Sequence, residues 1–248
     1  MHTVPPLSDY RLGGYFLSRL TGAVDCTGTT LRKVSLASDH SGRRFVPDDW
    51  TYSWVSAHWS DRLRAASPFG MTEEDVRALV SEVTDGVGLN VEPYSVCCDL
   101  DSARRIHDRF LRRAADIELW GVGLHTSLVP DFTAFYRPLP ALPGFAPIAP
   151  AIGFTMVQKG AALAPGGELL GHELLISDGS GFNSVESRHG DEVELLRAAG
   201  AHVNEHGLIS DFATAVRLMD FVPPIQHIAP GGWFPWLIVR YPLERPVL

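Results

Sequence analysis

Lysine is almost missing from this chain: Lys33 and Lys159 are the only two among 21 basic residues, and the rest are arginine. Cysteine is scarce as well. Cys26, Cys97 and Cys98 make an odd set of three without a Cys-x-x-Cys pair, which argues against a disulfide framework and against a cysteine zinc site. Neighbouring strand residues face opposite ways, so Cys97 and Cys98 are not expected to serve one site. Buried thiols in a reducing cytoplasm are the expectation, with a catalytic cysteine paired to a distant histidine as the alternative. Positive charge is also in deficit. A net charge of −8 makes a nucleic-acid backbone an unfit partner, because phosphate binding needs a concentrated basic surface. The start, Met1-His2-Thr3-Val4-Pro5-Pro6, lacks a charged-then-apolar leader, so no signal peptide is expected.

Long apolar helices are missing too. No charge occurs between Arg137 and Lys159, a length that could cross a bilayer. Pro138, Pro140, Pro143, Pro147 and Pro150 interrupt it, so a loop or extended crossover is expected rather than a membrane span. Nucleotide and nucleophile motifs are absent: the chain has no Gly-Lys-Ser/Thr and no Gly-x-Ser-x-Gly. The Gly121-x-Gly123 pair lacks the third glycine and the acidic residue of a dinucleotide site.

What is present is core material. The 248 residues are 45% hydrophobic and 20% charged, enough for one large core or two modest ones. Strand-like runs fall at Tyr15 to Leu20, Leu31 to Ala37, Trp50 to Trp54, Tyr94 to Cys98, Ile117 to Leu124, Glu168 to Ile176 and Trp233 to Tyr241, by their alternation or β-branched and aromatic content. Helices are expected from Thr72, with Asp75 completing a capping box, at Ser102 to Ala115, at Asp191 to Ala199, and after Ser210 or Asp211 as N-cap. The expected fold class is α+β (mixed α/β), a largely antiparallel sheet with about four helices packed on it. It spans 1–248 either as one domain or as two similar lobes, 1–136 and 151–248, joined by the Pro-rich stretch 137–150.

Three groups of residues carry candidate chemistry. His202, Glu205 and His206 reproduce the His-x-x-Glu-His spacing that on a helix puts two imidazoles and a carboxylate around zinc. Gly200 and Gly207 hem the pentapeptide in, so a loop with two solvated histidines competes with that reading, and no metal or other cofactor is expected. Trp50, Tyr52 and Trp54 put three rings on one strand face, able to stack a flat ligand or to pack a sheet. Asp178, Phe182, Asn183 and Ser184 lie on a Gly-rich loop after a strand, with Ser180 and His172 close by; a ligand or partner loop and a plain polar turn both fit.

The run Gly167-Glu168-Leu169-Leu170-Gly171-x-Glu173, then Phe182-x-Ser184, then Asn204-x-x-Gly207-Leu208 and an acid-opened helix containing Ala215 resemble a group of uncharacterised bacterial proteins. These come from GC-rich, actinobacterial-type genomes, and the resemblance covers residues 167–222. It implies an immunity-like or accessory protein that binds another protein, transfers no catalytic residue, and makes Asn204, Gly207 and Leu208 a structural turn. The leading expectation is therefore a non-catalytic binding protein whose acidic, aromatic-bearing surface masks a protein partner, for instance a basic, toxin-like one. The alternative is an enzyme, a hydrolase or cyclase acting on a small hydrophobic ligand, with His202, Glu205 and His206 as acid–base or zinc groups.

Overall fold

A computed structural model describes residues 5–20, 43–46, 66–85, 91–92, 96–114, 117–138, 150–177, 182–184, 200–201, 208–219 and 232–243, with Trp59, Leu63, Asn204 and His206. The strands are β1 (Tyr10–Leu20), β2 (Arg43–Val46), β3 (Val91–Glu92), β4 (Val96–Cys97), β5 (Ile117–His125), β6 (Glu168–Ser177), β7 (Phe182–Ser184) and β8 (Phe234–Tyr241). The helices are α1 (Glu73–Asp85), α2 (Leu100–Ile106), α3 (Val129–Phe135), α4 (Ile152–Lys159) and α5 (Phe212–Leu218). Among the described residues eight strands form one sheet in the order β3-β4-β1-β5-β8-β6-β7, with β2 also on β1. Every pairing is antiparallel, so the fold is α+β. Strands from before and after the Pro-rich stretch meet where β5 pairs with β8.

Residues directly opposite in an antiparallel pair share a face, and the register therefore sorts the core into two layers. Tyr10, Leu12, Tyr15, Gly121, Gly123, Leu237, Val239, Tyr241 and His172 lie on the first face. Phe16, Trp120, Val122, Trp236, Ile238, Leu175 and Phe182 lie on the second. Helices α3 and α4 cover the second face. The Phe132 ring of α3 meets Phe234 and Trp236 edge-on at 5.1 and 5.3 Å, and the Gly153 N–H of α4 donates to Ser177 Oγ at 2.7 Å. Both long outer strands are bulged at a glycine. Gly14 (φ 144°) and Gly171 (φ 139°) mark the two register shifts, where the left-handed backbone disfavours any side chain.

Local signals set the helix starts. At α1 the Thr72 N–H and hydroxyl donate to Asp75 Oδ2 at 2.9 and 2.8 Å, and the Asp75 N–H returns a bond to Thr72 Oγ1 at 3.1 Å, the expected reciprocal cap. The stripe it aligns leaves Val76 and Leu79 fully buried. Asp99 accepts from the Ser102 N–H at 2.7 Å and Asp211 from the Thr214 N–H at 2.8 Å, so α2 and α5 begin at acids. The α2 start at Leu100 precedes the expected Ser102, since Asp99 is the cap, and its end loosens into a π turn, His107–Leu111. Arg109 of that turn is salt-bridged to Glu82 of α1, which joins the two helical segments.

One expectation is corrected. The uncharged stretch from Arg137 to Lys159 is not loop throughout, because its last part is helix α4. Proline stops at Pro150, and the residues beyond it bury Ile152, Gly153, Met156 and Val157, the three- and four-residue spacing of one helical face. Among the described residues no helix is long and apolar enough to cross a membrane.

Candidate functional site

After α4, capped by left-handed Gly160, the chain turns across the free edge of β1. Leu12 N–H donates to Ala161 O at 2.8 Å and Leu163 N–H to Tyr10 O at 3.3 Å. The segment then crosses the first face towards β6. Glycines make the crossing possible: a Cβ on Gly123 would stand 2.4 Å from Leu163 Cδ1, and one on Gly121 2.7 Å from the Tyr241 ring. Two tyrosines hold the crossing in place. Tyr15 Oη accepts from the Ala164 N–H at 2.9 Å, and the Tyr241 hydroxyl donates to Ala164 O at 2.8 Å. Gly121-x-Gly123 is thus a packing device.

At the end of this face a cluster of rings, three of them polar, assembles from four elements. Tyr10 of β1, His125 of β5, His172 of β6 and Phe212 of α5 have ring centroids 4.4–6.5 Å apart. Ile209 O can only accept, so His172 Nδ1 carries the hydrogen that reaches it at 3.3 Å. Nε2 of the neutral ring then accepts from the Tyr10 hydroxyl at 3.1 Å. Both residues are buried. Burial is the main force on their protons: it brings His172 down to about 4 and, helped by the Asp9 charge, raises Tyr10. At neutral pH His172 is an uncharged ring with both nitrogens engaged, and Tyr10 keeps its proton.

His125 is the outward member. Its Nδ1 accepts from the Ser127 N–H at 3.2 Å and lies 2.8 Å from Ser127 Oγ. That leaves the hydrogen on Nε2, which has no hydrogen-bond partner among the described residues. Partial burial lowers its pKa while Asp9 opposes the shift. Chemically the group is one accessible imidazole donor on a scaffold of buried, satisfied rings.

Asn204 supplies the geometry behind His172. Its Nδ2 donates to Leu170 O at 2.6 Å, and its Oδ1 accepts from the His206 and Leu208 N–H groups at 2.9 and 3.1 Å. The turn so closed pairs Ile209 with His172 through backbone bonds of 2.8 and 2.9 Å and brings Ile209 O to the imidazole. His206 sits in this turn and not in a helix. His202 and Glu205 lie outside the described residues, as do Trp50, Tyr52, Trp54, Asp178 and Ser180. Phe182 is a packing ring, edge-on to Trp236 at 4.8 Å and to Phe16 at 6.0 Å. Asn183 and Ser184 pair with Ile176 and Leu175 on β6, three and more residues along the strand from His172, whose own partner is Tyr10. Among the described residues no three His, Cys, Asp or Glu could hold a metal ion together.

Tyr10, His125 and Phe212 were not marked by any sequence motif. The single local signal was Asp211, whose cap sets the first residue of α5 and therefore the place of Phe212. A second surface feature is Phe135, at the end of α3, which is 44% exposed and one helical turn from exposed Asp131. Comparison with protein families, with characterised proteins and with solved structures finds no match to this chain.

Proposed function

We propose that this is a non-catalytic binding protein of the bacterial cytoplasm that masks a protein partner, in the manner of an immunity or accessory protein. The surface would be one where exposed aromatic and acidic side chains meet. The observation that supports it is Phe135: a ring 44% exposed, in a neighbourhood where Pro130, Asp131, Ala134 and Pro138 are exposed too. Aromatic anchors with a charged rim are what partners cover. The net charge of −8 favours a basic partner and speeds its encounter. The test is native mass spectrometry of the protein captured from its own host, wild type beside Phe135→Glu. A stoichiometric protein complex that the substitution dissolves, with unchanged circular dichroism, supports the reading. A lone chain, or a complex indifferent to Phe135→Glu, overturns it.

A second reading has its own observation. The outward Nε2 of His125, set beside Phe212 at 4.4 Å between centroids, suits acid–base work on a small hydrophobic molecule, with His202, Glu205 and His206 as further candidates. Under it, His125→Gln removes turnover of a panel of aryl and alkyl esters without shifting the melting temperature. Full hydrolysis by that variant, or none by the wild type, sinks the enzyme.

A further inference from the structure

Three side chains that carry nitrogen or sulfur converge where the end of α4 meets the end of β4. Lys159, in the last turn of α4, donates from Nζ to Cys98 Sγ at 3.3 Å, and Cys98 Sγ lies 3.8 Å from Met156 Sδ. Lys159 is one of only two lysines in a chain otherwise served by arginine. An arginine could supply the charge here, but its guanidinium keeps its proton and is no nucleophile. Cys98 is 7% exposed while Lys159 beside it is exposed, so only a reagent as small as a peroxide fits a reaction at this thiol. An ammonium neighbour favours thiolate, the form that reacts. The adjacent cysteine is a built-in contrast: Cys97 is fully buried and its thiol is pushed up by desolvation, which keeps it protonated and inert.

We propose that Cys98 and Lys159 are a modification site, a pair that a hydroperoxide converts into a covalent sulfur–nitrogen cross-link. In the first step the Cys98 thiolate attacks one peroxide oxygen. The S–O bond forms and the O–O bond breaks, sulfur loses two electrons, and the departing oxygen takes a proton from the Lys159 ammonium and leaves as water or an alcohol. That leaves a sulfenic acid next to a neutral amine. In the second step the amine attacks sulfur, the S–N bond forms, and the sulfenic oxygen departs as water with a proton from the nitrogen, the condensation known for sulfenic acids with nitrogen nucleophiles. The protein has then lost two hydrogens. The flexible lysine stem can close the gap from 3.3 Å, and the product ties the end of α4 to the strand edge it packs beside.

The experiment treats the intact protein with one equivalent of hydrogen peroxide and maps it by tandem mass spectrometry after alkylation. The expected product is a Cys98–Lys159 linked peptide lighter by two hydrogens, released by dithiothreitol. Lys159→Arg keeps the charge and should stop the reaction at a Cys98 sulfenic acid that dimedone captures; Cys98→Ser should remove both species. Circular dichroism checks that each variant is folded, and the wild-type map stands without them. A Cys97–Cys98 disulfide, which loses the same two hydrogens but survives Lys159→Arg, would overturn the proposal. So would oxygen added to Met156 instead, a wild-type sulfenic acid with Lys159 unlinked, or no change in mass.

Discussion

On the first face of the sheet Tyr10, Tyr15, Tyr241 and His172 each direct a ring heteroatom at a named partner. On the second, Phe132, Phe182 and Phe234 have none to place, and the buried Trp236 N–H finds no partner among the described residues. The two layers are stabilised by different physics. A buried polar atom costs free energy unless it is bonded, so the first face depends on where the strap and the Asn204 turn deliver their backbone groups. The second depends mainly on volume and contact, with polar bonds towards its margins at Ser177 and between Arg240 and Glu168. Loss of a hydrogen-bonding atom or protonation of His172 should therefore register on the first face, and loss of ring volume on the second.

The largest effect is expected on the second face. Trp236→Ala removes a fully buried ring packed against Phe132 and Phe182, and should cost about 3–5 kcal/mol in urea unfolding. Trp236→Phe should cost much less, since it keeps most of the contact and removes a donor without a partner among the described residues. If Trp236→Ala lowered stability by no more than a surface change, about 0.5 kcal/mol, the close packing of this face would be refuted.

The next concerns pH and belongs to the first face. His172 has a folded pKa of about 4 against the ordinary 6.5. Between those values the unfolded chain takes up a proton that the folded chain refuses. The stabilisation is thus complete above pH 6.5 and is lost as pH falls towards 4, by about 3 kcal/mol in all. His172→Gln should flatten that part of the pH profile, and Trp236→Phe should leave it as it is. Tyr10→Phe sharpens the test. Without the hydroxyl that donates to Nε2, the neutral ring loses its support, its pKa climbs, and the sensitive window narrows. A wild-type profile that matched His172→Gln between pH 7 and 4.5 would remove His172 as its origin.

The same division explains what could be read in the sequence. Thr72 with Asp75, and Asp211, were legible because a cap joins residues three apart in the chain, and β5, β6 and β8 because each is rich in strand-forming residues despite the glycines in β5 and β6. Asp99 was not, and the expected start of α2 fell two residues late. The ring cluster was not legible, since Tyr10 and His172 are 162 residues apart and only the sheet order makes them neighbours. Helix α4 was hidden by the prolines before it, although Ile152 and Met156 carry its spacing. The His-x-x-Glu-His spacing was legible, but His202 and Glu205 lie outside the described residues; between the two histidines Asn204, which no motif marked as a hydrogen-bond hub, closes the turn. Trp50, Tyr52 and Trp54 lie outside the described residues.

The smallest expected effect probes the joint on which the first face depends. A methyl group at Gly123 would lie 2.4 Å from Leu163 Cδ1 and 3.0 Å from Tyr10 Cβ. The first contact is with a side-chain tip that can rotate; the second is with an atom anchored to β1. Gly123→Ala should therefore lift the strap at Leu163 and cost about 1–3 kcal/mol, with Leu163→Ala as the relieving partner. If the strap takes the strain, the double variant is more stable than the two single losses summed, by about 0.5–3 kcal/mol. If the costs simply add, the methyl is acting on Tyr10 instead. Tyr10 holds the Nε2 bond of His172, so the acid limb of the stability profile then shifts in Gly123→Ala and stays shifted when Leu163 is cut back. Additive costs with an unmoved acid limb would mean that neither contact constrains the face, and that the glycine is needed for some reason other than space.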